Sequence, residues 1–288
     1  DADRTMLQAK RSRRQGAPDS VSRVSISSHR SSRTNEIVAR AIKNDRLMLA
    51  FQPIVNIAEN RVWAHEALVR YVDPELGPIS PPSLVARAKR LHLLNELTRQ
   101  VITKALVAAA EFQSIVPEIN CITVNLELGQ ISDSELGPFI RESARAYSDL
   151  SLCIELNERS LRSVTDVLRR GAVALQDAGV IIALDDYGSD DSSVGSLVHF
   201  PMNILKIDKS LINDLDDLRQ REVVKSLQGF GDNLDYTTVV EGIETPAMVK
   251  IMSELGVQHA QGYFYGRPIS RTQSADRLRR WGDQAITS

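Results

Sequence analysis

The stretch IIALDDYGSDDSS, residues 181–193, decides how the chain is read. Four apolar residues run to Leu184 and then meet Asp185 and Asp186, with Asp190 and Asp191 close behind. The run has the length and β-branched content of a buried strand. Adjacent carboxylates repel and are costly to bury, so something of opposite charge must meet them at the strand end. The question is whether other strands end in the same way.

They do. Strand-like runs recur as LMLAFQPIV, RVWAHEAL, CITVNL, SLCIEL, VIIALDD, NILKID, YTTVVEG and VQHAQGY. Helical patterns fall over 81–90, 93–111, 135–147, 160–178, 216–231, 245–255 and 271–284. Thr245–Pro246 reads as a helix start, and Gly179 and Gly256 as helix stops. Alternating strands and helices, with strands of low polarity, predict an α/β fold around a parallel sheet covered on both faces. The runs close on Glu66, Asn125, Glu155, Asp185 with Asp186, Lys206, Glu241 and Gln261. Most of these ends lie roughly 20 to 35 positions apart, against about 30 residues per unit in an eight-unit barrel. In such a barrel the strand C-termini converge on one face, where active sites sit.

Helix capping is one explanation of polar strand ends. It suits Asp186 or Asn125 alone and suits the glutamates poorly, because Glu is a weak N-cap. A hard-cation site explains the whole set. Glu66, Asn125, Glu155, Asp185, Asp186 and Glu241 offer only oxygen donors, which favours Mg²⁺ or Mn²⁺ over zinc or copper. The five carboxylates among them exceed what one divalent ion balances, so two ions fit better, and paired ions are the usual device for cutting phosphate esters. Lys206 would then orient the attacking water or neutralise a phosphoryl oxygen; a plain ion pair to a neighbouring acid is the alternative. Arg70 could hold a second phosphate or lie on the surface. An enolase-type barrel also places acids on Mg²⁺ with a lysine as base, so this reasoning reaches metal-assisted chemistry and does not name the substrate.

The bounds from composition agree. The chain has 288 residues, 42% of them apolar, and a net charge of −2. That suits one α/β barrel, and no polyanionic partner such as DNA or RNA is expected. No apolar run approaches membrane-spanning length, so no membrane contact by this fragment is expected, and the place of work is read as the cytoplasm. Cys121 and Cys153 each sit in an apolar run and are read as buried thiols of a reducing compartment rather than a disulfide.

The same residues carry a family resemblance. HEALVRY holds Glu66-Ala67-Leu68 with Arg70 and resembles the signature of EAL-domain cyclic di-GMP phosphodiesterases. FQPI, VNL, IELNE, DDYG, LKID, VVEGIET and QGYFYGRP follow in that family's order, over roughly residues 37 to 275. The resemblance implies a modified TIM (β/α)₈ barrel with one antiparallel strand, two Mg²⁺ or Mn²⁺ ions, and hydrolysis of cyclic di-GMP to linear pGpG. It implies metal ligation by Glu66, Asn125, Glu155, Asp185, Asp186 and Glu241, with Gln261 acting through water. Lys206 would hold the nucleophilic water, with Glu241 beside it in the catalytic set. Gln52, Leu68 and Arg70 would contact the dinucleotide, and Glu158 and Glu244 would brace the loop after Asp186.

Two features go further. Residues 1–16 resemble the last helix of a GGDEF domain, residues 17–34 read as a linker, and 35–288 as the EAL domain, so the parent is expected to be a GGDEF–EAL protein able to form a homodimer. The family pattern after the first aspartate pair is close to DDFGTGYSSL, whereas this chain has DDYGSDDSSV. Asp190 stands where a glycine is usual and Asp191 where a tyrosine is usual. That departure keeps open a second expectation, a cyclic di-GMP receptor with weak or conditional hydrolysis.

Overall fold

In a computed structural model the described residues are 32–189, 195, 198 and 200–285, with the side chains of Arg162 and Ser163 left aside. Residues 1–16 and most of the expected linker lie outside them, as do Asp190 and Asp191. Helix α1 spans 32–43 and so begins three residues before the expected domain start at 35. There follow β1 (Met48–Asn56), β2 (Arg61–Asp73), the short β3 (Gly77–Ile79), α2 (Pro81–Arg90), α3 (Leu94–Ile115) and β4 (Cys121–Leu126). The second half alternates more regularly: α4 (Leu136–Ala146), β5 (Ser151–Asn157), α5 (Asp166–Gln176), β6 (Ile181–Tyr187), β7 (Ile204–Ile207), α6 (Leu218–Asn233) and β8 (Thr237–Val240). It ends with α7 (Pro246–Glu254), β9 (His259–Gln261), β10 (Ile269–Ser270) and α8 (Arg271–Trp281).

Eight strands close a barrel in the order β1-β9-β8-β7-β6-β5-β4-β2, because β2 also pairs back onto β1. All neighbours are parallel except β1, which runs antiparallel to both β2 and β9. The expected modified barrel with one reversed strand is therefore what the chain forms. β3 and β10 are added at β2 and β1, outside the closed ring. Thr245 caps α7 through the Met248 N–H with Pro246 in the first turn, and Gly179 and Gly256 take the left-handed angles that stop α5 and α7.

Strand residues two apart share a face, and that rule builds the interior in layers. Ile54, Ala64, Cys121, Cys153, Ala183, Ile204 and Val239 form one apolar layer inside the barrel. The residue two positions toward the mouth is Gln52, Glu66, Thr123, Glu155, Asp185, Lys206 and Glu241 in turn. The polar layer thus stands directly on the apolar one. The outward-facing residues of the same strands, such as Ile122, Ile154, Ile182 and Leu205, join the larger core beneath the helices. Both cysteines are free and buried, and burial pushes the Cys121 thiol up to about 12.

Candidate active site at the barrel mouth

Alternation should send Asp185 and Asp186 to opposite faces. A bulge prevents that. Leu184 pairs with Leu205 and Tyr187 with Ile207, so both aspartates stand opposite the single residue Lys206. Asp186 takes φ 60°, the left-handed angle such an extra residue needs and one that Asp tolerates better than most. Asn157, two residues beyond Glu155, donates its side-chain amide to Asp186 Oδ2. Tyr187 returns to the outer core, buried.

Lys206 is the centre of the layer. It is 1% exposed, and its Nζ lies 3.0 Å from Glu155 Oε2, 2.9 Å from Asp185 Oδ1 and 2.6 Å from Glu241 Oε1. Burial would strip its proton, but Asp185, Glu155 and Glu241 outweigh that and hold it well above the ordinary lysine value. Glu66 receives Asn125 Nδ2 at 2.8 Å and Gln261 Nε2 at 2.7 Å, one amide on each oxygen. Burial pushes Glu66 up, yet Lys206 and these two amides bring its carboxyl below the usual range. Glu155 goes the other way: burial first, then the charge of Glu66, raise it far above a normal glutamate. The two carboxyls thus shift in opposite directions, Glu66 down and Glu155 up. Burial, opposed by Lys206 and reinforced by Asp185, carries Glu241 up to about 8. Asp186 is raised by burial and then by Asp185.

Gly262 locks this rim. Ile243 N–H donates to Gln261 O at 3.0 Å and Phe264 N–H to Ile243 O at 3.0 Å, so the segments after Glu241 and Gln261 are stitched together. A Cβ at Gly262 would lie 2.0 Å from Ile243 O.

The residues fit a divalent cation. Asp185, Asp186 and Glu241 each present an oxygen, and these three oxygens lie within 4.8 Å of one another. The donors are all hard oxygens, burial and neighbouring acids push Glu155 and Glu241 up as expected of crowded carboxyls without a cation, and the buried Gln261 Oε1 accepts no hydrogen bond. Of the remaining expected ligands, Glu155 meets Asp185 and Glu241 through Lys206, and Asn125 donates to Glu66.

A cleft of about 360 Å³ opens over this layer, lined among others by Gln52, Glu66, Leu68, Asp186, Glu241 and Glu244. Gln52 is fixed by its Nε2 donating to Gly266 O at 3.1 Å. A more apolar hollow of about 650 Å³ adjoins it, sharing Glu66 and Leu68 and continuing along Pro81, Val85 and Val101. Arg70 does not line the cleft; its Nη1 donates to Val69 O at 2.9 Å. Glu158 is buried at the start of the short turn after β5, and Glu244 is exposed at the cleft. The loop they were expected to brace lies outside the described residues.

Five residues of the site were not anticipated: Thr123, buried in the polar layer beside Glu155, and Asn157, Asp208, Lys209 and Tyr263. The two-residue repeat could have found three of them, since Thr123 precedes Asn125 by two, Asn157 follows Glu155 by two and Asp208 follows Lys206 by two.

A barrel with one reversed strand and an acid-and-lysine layer at its mouth defines a class, and comparison with known proteins gives the family. A family model described as "EAL domain" matches residues 35–268, and the chain belongs to that family. It is 27% identical over 241 residues to "Signaling protein YkoW" of Bacillus subtilis, covering 82% of this chain and 30% of that protein. It is 28% identical over 240 residues to "Cyclic di-GMP phosphodiesterase NbdA" of Pseudomonas aeruginosa, covering 81% and 30%. Among solved structures it resembles "PaMucR Phosphodiesterase, c-di-GMP complex", with a TM-score of 0.73, 28% identity, and coverage of 82% of this chain and 96% of that one. The chain spans about a third of the length of the curated relatives it matches. No helix among the described residues is long and apolar enough to cross a membrane.

Proposed function

We propose that this domain hydrolyses cyclic di-GMP to linear pGpG with the help of two Mg²⁺ or Mn²⁺ ions. The observation that carries the reading is the bulge that turns both aspartates toward Lys206 and Glu241. The ions would be held by Glu66, Asn125, Glu155, Asp185, Asp186 and Glu241, with Gln261 meeting them through water. Bound there, they supply an activated water and positive charge for the phosphoryl oxygens.

The chain's own groups do the rest. Lys206, clamped by three carboxylates, presents N–H donors that orient the attacking water. Glu155, Asp185 and Glu241 keep that ammonium charged and fixed. Gln52 and Leu68 position the dinucleotide from the cleft wall, and Arg70 joins them once it swings from Val69. Glu158 and Glu244 hold the loop after Asp186. The water oxygen bonds to phosphorus as the bond from phosphorus to the 3′ oxygen breaks, and a proton passes to that oxygen, leaving a free 3′-hydroxyl and a 5′-phosphate. The names of NbdA and of the solved MucR complex support this substrate. The parent chain is read as carrying a GGDEF domain ahead of α1 and forming a homodimer.

Chromatography of the products with Mg²⁺ or Mn²⁺ tests the reading, with stoichiometric pGpG expected. The sequence DDYGSDDSSV supports a second reading, a receptor that binds cyclic di-GMP and cuts it slowly. Asp190→Gly with Asp191→Tyr should then raise turnover about tenfold, equivalent to about 1.4 kcal/mol of recovered order, at unchanged affinity. Unchanged turnover in the double variant removes that second reading.

A further inference from the structure

The mouth is strongly acidic, and its ligand is an anion. Glu66, Asp185, Asp186, Asp208, Glu241 and Glu244 all line the cleft. A cyclic dinucleotide carries two phosphodiester charges. Ions over the aspartates answer for the phosphate being cut. The other phosphate must enter the same acidic cleft.

Lys209 is the single cationic side chain among the described residues lining that cleft. Lys206 lies beneath it, buried and ion-paired with three carboxylates. Lys209 opens the short turn after β7, is exposed, and forms no ion pair with any described residue. Its neighbour Asp208 is occupied, capping the turn by accepting the Ser210 N–H at 2.9 Å. The stem of Lys209 is nonetheless placed. It lies across Gly242, where an added Cβ would come within 2.5 Å of Lys209 Cβ and 3.6 Å of its Cδ. Gly242 has φ 78° and directly follows Glu241. The absent side chain at 242 therefore leaves a track along which the lysine crosses beside Glu241.

We propose that Lys209 is a positioning residue that holds the phosphodiester of cyclic di-GMP that is not being cut; this rests on the phosphodiesterase reading above. The ammonium donates to a non-bridging oxygen of that phosphate. The contact is the same before and during bond breaking, so it acts on binding and leaves the chemical step alone.

The test uses Lys209→Met, which keeps the stem, and Lys209→Arg, which keeps the charge. Steady-state hydrolysis is measured with Mg²⁺, and affinity for cyclic di-GMP by calorimetry with Ca²⁺. Lys209→Met should raise KM and Kd together by about tenfold while kcat stays within about twofold, the pattern of lost uniform binding. Its KM should also respond less than the parent's to a rise from 50 to 200 mM NaCl, because one phosphate contact has gone. Lys209→Arg should restore most of the loss. If the parent cuts cyclic di-GMP and Lys209→Met leaves KM and Kd unchanged, or lowers kcat alone, the assignment of Lys209 is wrong while the proposed activity stands. If the parent neither binds nor cuts cyclic di-GMP, both fall together.

Discussion

Replacing Lys206 by methionine should destabilise the metal-free protein and carry its loss of stability to higher pH. The ammonium makes contacts of 2.6, 2.9 and 3.0 Å to three carboxylates and is 1% exposed. Methionine fills similar space but leaves those acids without their partner. Breaking a buried ionic cluster by removing one member costs about 3–5 kcal/mol. For a domain of this size about 1 kcal/mol moves Tm by roughly 2–4 °C, so a fall of about 10 °C is expected in EDTA. The acids respond by keeping protons. Burial already raises Glu155 and Glu241, and without Lys206 both rise further. A carboxyl whose folded pKa exceeds its unfolded value adds stability that is complete below the unfolded pKa and is lost as pH rises through the folded one. Each retained proton costs about 1.4 kcal/mol of stability per pH unit, so the decline that Glu241 ends at about 8 in the parent should continue above pH 8 in the variant. Mn²⁺ should restore most of that, and its stabilising effect should be larger in the variant than in the parent. Differential scanning calorimetry at several pH values, with EDTA or Mn²⁺, measures all of this. A Lys206→Met protein whose Tm in EDTA follows the parent within 2 °C throughout, with the same gain from Mn²⁺, would refute the account of Lys206 as the counter-charge of the layer.

Three further outcomes are expected. Glu66→Ala should abolish turnover, and Ca²⁺ should support binding but little hydrolysis, because its looser shell places water poorly; near-normal activity in either case would count against the two-ion site. Gly262→Ala should destabilise by at least about 3 kcal/mol or prevent folding, since its Cβ would meet Ile243 O at 2.0 Å, and chemical denaturation will show it. His65, held at about 3 by burial and then by Arg277, stays neutral when folded. Its share of stability is therefore full above the unfolded pKa of 6.5 and declines as pH falls toward 3, by roughly 2 kcal/mol at pH 5. His65→Leu should flatten that decline in urea titrations.

Much of this site was legible in the chain because a strand end is a local event. Each apolar run breaks at one polar residue, and the barrel then gathers those residues without further instruction. What stayed hidden depends on pairing between distant segments. Nothing in ALDDYG shows that Asp185 and Asp186 face one way; that follows from the partner register at Leu205 and Ile207. Lys209 sits on a turn, where the two-residue rule stops, and its course follows from Gly242, 33 positions later. Arg70 was read from its motif, but its hydrogen bond to Val69 O turns the guanidinium from the cleft. Helix α1 begins in a Ser- and Arg-rich stretch whose composition suggests a linker, and its apolar face, Ile37, Val38, Ala41 and Ile42, becomes visible only against the core it joins.

The reversed strand has one more consequence. In an all-parallel barrel the first strand starts at the floor, remote from the chemistry. Here β1 starts at the rim: Met48 pairs with Arg70 and Gln52 with Glu66, while Asn56 ends at the floor beside Arg61. The polypeptide thus arrives from α1 on the side of the acidic cleft. The α1–β1 turn is gripped by α3, through Gln100 Nε2 to Ile42 O at 2.7 Å and Lys104 Nζ to Leu47 O at 2.7 Å. Gln52 lies five residues beyond Leu47, so a shift of α1 against α3 has a short covalent lever to the cleft wall. The inversion of one strand brings the entry of the chain into the EAL barrel to the end that carries the acidic cleft.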